Sequence, residues 1–168
     1  MRPIKITPNI IKNADGSVLY HSGNTEVICT ASFESKVPDW LQDSGWITAE
    51  YSMLPASTNS RVTREITRGK KNARSQEIQR LIGRALRGAA NLKEMPGISI
   101  YVDCDVINAD GGTRTASITG GYIALALAIE SLIKSGELKE NPITDSIAAV
   151  SVGIKNNEVL VDLDYLED

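Results

Sequence analysis

The chain has 168 residues, 42% of them hydrophobic and 23% charged, with a net charge of −3. That length and balance fit one ordinary folded domain and exclude disordered and fibrous classes. The charge is unevenly spread: residues 61–87 hold nine basic side chains against Glu65 and Glu77, a local +7, so the other 141 residues carry −10. A basic belt on an acidic body points to a localised polyanion site.

The first part of the chain reads as β. Gly16–Ser22, the tight-turn pair Gly23-Asn24 and the run 25–33 predict a hairpin, and residues 46–53 a further strand. Cys29 and Cys104 lie in strand-like apolar runs without CxxC spacing and read as structural free thiols of a reducing cytoplasm. His21 is the single histidine, which excludes a His-rich metal site.

Residues 55–73 are rich in Ser, Thr and Arg without a sustained period, and predict a long functional loop. Ser75 is the expected cap of the next helix, in which Ile78, Leu81, Ile82, Ala85, Leu86 and Ala89 form one apolar stripe. Arg80, Arg84 and Arg87 fall together on another face, where a solvated surface explains them as well as RNA contact does. Arg61, Arg64, Arg68, Lys70, Lys71 and Arg74 obey no helical period, and a basic loop poor in aromatics suits backbone contact to nucleic acid.

Residues 98–107 predict a strand, followed by Asp110-Gly111-Gly112-Thr113-Arg114 and an apolar helix from about Thr115 to Lys134. The uncharged apolar stretch, 115–129, is shorter than the ~20 residues of a membrane span and reads as a buried helix. The glycine pair, the free amides of a helix start and the Arg114 fork together suit phosphate. An ordinary strand-to-helix connector explains the glycines equally well. Residues 147–154 and 158–163 predict two last strands around the Asn156-Asn157 turn. The acidic end, 162–168, is either a solvated tail or a strand end at which carboxylates hold Mg²⁺. The order of elements is α+β, with a mixed or antiparallel sheet and two helices on one face.

Several of these stretches, in order, resemble the ribonuclease PH family: residues 16–18, 27–32, 45–55, 77–87, 103–106, 109–120, 148–154 and 162–165. The resemblance implies a fold like the second domain of ribosomal protein S5 and a phosphate-dependent exonuclease that trims the 3′ ends of precursor tRNA, releasing nucleoside diphosphates. It implies a ring-shaped hexamer built from dimers. It also places phosphate binding on Arg74, Gly112, Thr113 and Arg114, RNA contact on Arg61, Arg64 and Arg68 (with Lys70 and Lys71 in the same loop), and a Mg²⁺-binding catalytic carboxylate on Asp168. The alternative implied function is a non-catalytic RNA-binding subunit of an exosome-like ring. The family pattern begins with a short Asp-Gly-Arg segment before Arg2-Pro3 and continues past Asp168 with a second aspartate, a strand and a long helix. The 168 residues are therefore expected to be one incomplete ribonuclease PH-type domain, prone to self-association and nearly inactive until extended.

Overall fold

Alternating apolar side chains build the sheet, and the 3.6-residue stripes of two helices cover one of its faces. A computed structural model describes residues 1–41, 43–69 and 72–167. The elements are β1 (Ile4–Pro8), β2 (Gly16–Ser22), β3 (Thr25–Glu34), β4 (Trp46–Met53), α1 (Ala73–Gly88), β5 (Ser99–Asn108), α2 (Thr113–Ser135), β6 (Val152–Lys155) and β7 (Glu158–Val161). Strands β1-β2-β3-β5-β4 form one sheet in that order. β4 runs parallel to β5 and every other pair is antiparallel, so the sheet is mixed. β6 and β7 form a separate antiparallel hairpin.

The core lies between this sheet and the helices. Val27, Cys29 and Ala31 of β3 and Ile100, Val102, Cys104 and Val106 of β5 are buried, every second residue, as a half-buried sheet requires. From α1, Ile78, Ile82 and Leu86 are fully buried, each contributing about 1.5–3 kcal/mol by leaving water. α2 is long and apolar enough to cross a membrane, yet Ala124, Leu125, Ala128, Ile129 and Leu132 are buried inside this fold. It approaches the strands closely because Gly16 has no side chain: a Cβ there would stand 2.1 Å from the Ala124 carbonyl. Cys29 and Cys104, both buried and free, face each other across β3 and β5.

Several expectations need correction. α1 is capped by Asn72, whose side chain accepts from the Arg74 N–H; Ser75 lies within the first turn and its hydroxyl donates to Glu65. Arg87 leaves the Arg80–Arg84 face, since its Nη1 donates to the Ile47 carbonyl at 2.8 Å and its guanidinium stacks on Trp46 at 4.5 Å. β1 was not expected at all. Pairing in 147–154 is confined to β6, and β7 ends at Val161 because Asp162 takes a left-handed φ of 66°. The helix after β5 starts at Thr113, two residues before the expected position.

Candidate active site

The Asp110-Gly111-Gly112 turn delivers the end of β5 into α2. Gly111 and Gly112 have φ of 76° and 66°, a region that glycine enters without steric cost. Neither position tolerates a side chain: a Cβ on Gly111 would lie 2.6 Å from the Leu163 carbonyl. Gly112 caps α2 without any side-chain hydrogen bond, and no acidic residue occupies the first turn. Its carbonyl accepts from the Ala116 N–H and from the Thr115 hydroxyl, both at 2.9 Å. The first amides of α2 have no partner within the helix, and the positive end of the helix dipole adds to them.

Arg114 projects from this first turn and is about half exposed. Its Nη1 and Nη2 each lie 3.2 Å from the two carboxylate oxygens of Glu77 on α1. That two-point contact joins the start of α2 to the start of α1, where Arg74 is exposed. Thr113 is buried, with its Oγ1 2.9 Å from the hydroxyl of Tyr51 on β4. Burial pushes the Tyr51 phenol up, while the Thr113 hydrogen bond and the charges of Arg74 and Arg114 pull it down. Of the two expected phosphate arginines, Arg114 is tied to the start of α1 through Glu77, and Arg74 stands exposed one helical turn before that glutamate. The Thr113 hydroxyl is engaged by Tyr51, so only its backbone N–H, among the first amides of α2, is left for an anion.

The acidic end differs from expectation. Asp162 and Asp164 do not share a strand face. Asp162 is buried, and its carboxyl is held below the usual range chiefly by hydrogen bonding to Arg2, against the opposing effect of burial. Asp164 is turned to local use: its Oδ1 accepts from the N–H groups of Leu166 and Glu167 at 2.9 and 3.0 Å. Among the described residues no group of three or more His, Cys, Asp or Glu side chains is arranged to hold a metal ion. Asp168, Lys70 and Lys71 lie outside the described residues, as does the side chain of Arg68. Arg61 and Arg64 are exposed on the loop between β4 and α1. His21 pairs across the β2–β3 hairpin with Glu26 at 3.2 Å.

Arg2, Tyr51 and Glu77 are site residues that the sequence reading did not find. Only Glu77 carried a signal, since it stands one helical turn beyond Arg74.

Residues 1–129 match the family described as "3′ exoribonuclease family, domain 1". Over its whole length the chain is 55% identical to ribonuclease PH of Neisseria meningitidis and spans 70% of that protein. It is 56% identical to ribonuclease PH of Bacillus subtilis, with the same coverage. The chain belongs to the ribonuclease PH family. Among solved structures, rice Rrp46 superposes with a TM-score of 0.80 at 18% identity, covering 99% of this chain and 70% of that one. The Archaeoglobus fulgidus exosome with RNA bound to the active site gives 0.80 at 24%, covering 99% and 68%. These ribonuclease PH-like neighbours have the fold of the second domain of ribosomal protein S5, and the likeness at this identity concerns the fold.

Proposed function

We propose that this chain is a phosphorolytic 3′-to-5′ exoribonuclease that shortens RNA by attack of inorganic phosphate and releases nucleoside diphosphates. The reading is carried by the two-glycine turn that opens α2, with Arg114 on its first turn linked by Glu77 to the start of α1, where Arg74 is exposed, in a chain of this family. A phosphate held there presents one oxygen to the phosphorus of the terminal nucleotide. The new P–O bond forms as the bond to the 3′ oxygen of the preceding nucleotide breaks, and that oxygen takes up a proton. Little covalent work falls to the protein, so positioning and charge stabilisation dominate. Arg114 supplies a bidentate fork and Arg74 a second cation. The Glu77 carboxylate contacts that fork and keeps it oriented.

Asp168 would hold Mg²⁺; the backbone of Leu163 and Asp164, a few residues before it, packs against Gly111. When bound, the ion neutralises charge on the transferring phosphoryl group. Arg61, Arg64, Arg68, Lys70 and Lys71 would follow the RNA backbone, with precursor tRNA 3′ ends as substrate. The chain would act as one domain in a cytoplasmic homo-hexameric ring of dimers. A non-catalytic ring subunit would need no phosphate loop, so the intact loop favours the enzyme.

The test is trimming of a 5′-labelled RNA across a phosphate titration. The rate should rise and saturate with phosphate. Trimming that proceeds equally well without phosphate would overturn the reading.

A further inference from the structure

We infer that Arg2 and Asp162 are positioning residues of the phosphate site, a buried clamp that fixes the direction of the loop amides ahead of α2. The inference rests on the phosphate reading above and deepens it.

Arg2 lies 160 residues from Asp162 in sequence, yet two hydrogen bonds join them. The Arg2 backbone N–H donates to Asp162 Oδ2 at 2.7 Å, and its Nη2 donates to Oδ1 at 2.7 Å. Both side chains are largely buried, at 16% and 6% exposure. The other arm of the guanidinium, Nη1, donates to the Asp110 carbonyl at 2.5 Å. A guanidinium is planar, so anchoring one arm on the carboxylate sets the angle at which the other meets the loop. The carboxylate is itself held: the Asp162 N–H donates to the Ser151 carbonyl at 2.7 Å, and the Ser22 hydroxyl stands 3.4 Å from Oδ1.

A carbonyl and the next residue's N–H share one rigid peptide plane. Pinning the Asp110 carbonyl therefore fixes the direction of the Gly111 N–H. The next plane is pinned in turn. Thr25 Oγ1 donates to the Gly111 carbonyl at 2.6 Å, which fixes the Gly112 N–H, and it accepts from the Asp110 N–H at 3.0 Å. Two glycines at positive φ would otherwise leave both planes free to rotate. Arg2 also packs on the loop itself, since a Cβ on Gly112 would lie 3.1 Å from its Nη2. Arg2 and Thr25 thus hold the amides immediately before the first turn of α2, and Asp162 holds Arg2.

A purely structural clamp would change stability and leave phosphate affinity alone. The positioning role makes a different prediction. Inorganic phosphate binding would be measured by titration calorimetry on wild type, Arg2→Lys, Asp162→Asn and Arg114→Ala, at a temperature where circular dichroism shows each to be folded. Lysine keeps the charge but, as a point donor, cannot span Asp162 and the Asp110 carbonyl. Arg2→Lys should raise the phosphate Kd roughly tenfold, the scale of losing a supporting contact behind a binding shell. RNA affinity measured without phosphate should stay unchanged. A folded Arg2→Lys protein whose phosphate Kd lies within about twofold of wild type would overturn the clamp. Should that variant unfold, Asp162→Asn decides by the same criterion. If Arg114→Ala also binds phosphate normally, the phosphate reading itself falls; if Arg114→Ala loses binding while the clamp variants keep it, only the clamp falls.

Discussion

Arg114 combines two properties that rarely coincide: a fixed guanidinium and a position on the first turn of a helix whose cap is a glycine. Removing it should cost about 1.5–3 kcal/mol of phosphate binding, the usual worth of a hydrogen bond to a charged group. Arg114→Ala is therefore expected to weaken phosphate binding by one to two orders of magnitude, read by calorimetry, with secondary structure intact. Asp162 carries a second prediction. Its carboxyl titrates lower in the folded protein than in the unfolded chain, so the folded state binds fewer protons in that window. The stability it contributes is complete above the ordinary carboxylate value of about 3.9 and is lost as pH falls through the depressed folded value. Urea unfolding between pH 6 and 3 should show that loss in wild type and a shallower one in Asp162→Asn; parallel curves would contradict it. Arg114 was legible because its glycines stand beside it in sequence. Tyr51 and Arg2 were not, because they reach their partners across 62 and 160 residues, and Glu77 was signalled only by its place one helical turn beyond Arg74. No local pattern records contacts of that span.

The central strands follow from alternation and α1 from its 3.6-residue spacing, although Leu81, expected in the apolar stripe, is 40% exposed; α2 was legible as an uncharged apolar run. The stripe Ile78, Ile82 and Leu86 sits in the core as the 3.6-residue spacing requires, and Ile82→Ala should cost about 2–5 kcal/mol by leaving a cavity. Gly16 is a sharper test, because its neighbour is backbone and cannot move aside. Gly16→Ala would set a methyl 2.1 Å from the Ala124 carbonyl and should destabilise by at least the 1–3 kcal/mol typical of overpacking. A thermal midpoint equal to wild type would show that α2 sits farther from β2 than described. The edges of the fold were harder to read. In β1, Ile4 and Ile6 are half exposed at the rim of the sheet, so no buried face imposes an alternating pattern. Residues 147–151 are apolar enough for a strand but find no partner strand, and propensity without pairing does not make one. Asn72 displaced Ser75 as the cap because the helix starts at Ala73, and two cap-forming residues three positions apart cannot be ranked by composition.

Across the whole molecule, charge and apolar surface are both unevenly distributed. Residues 61–87 carry a local +7, and Arg61 and Arg64 are exposed on the loop between β4 and α1. Replacing Arg61, Arg64 and Arg68 with Ala should weaken RNA binding and flatten its dependence on salt, because each phosphate contact releases counterions. Phosphate affinity should be nearly unchanged, and an unaltered salt slope would count against an RNA-binding loop. The β6–β7 hairpin exposes Val152, Ile154, Val159 and Val161, at 58, 77, 66 and 44%. A contiguous apolar surface of this kind favours association, so light scattering should find the protein oligomeric, and Ile154→Lys with Val159→Lys should shift it towards monomer. A short RNA would be incubated with the protein and ³²P-labelled inorganic phosphate, which detects even slow turnover, and the products separated. Label should appear in nucleoside diphosphates, because the attacking phosphate becomes their β-phosphate. Shortened RNA accompanied by unlabelled nucleoside monophosphates would mean that water is the nucleophile, and the account would be contradicted.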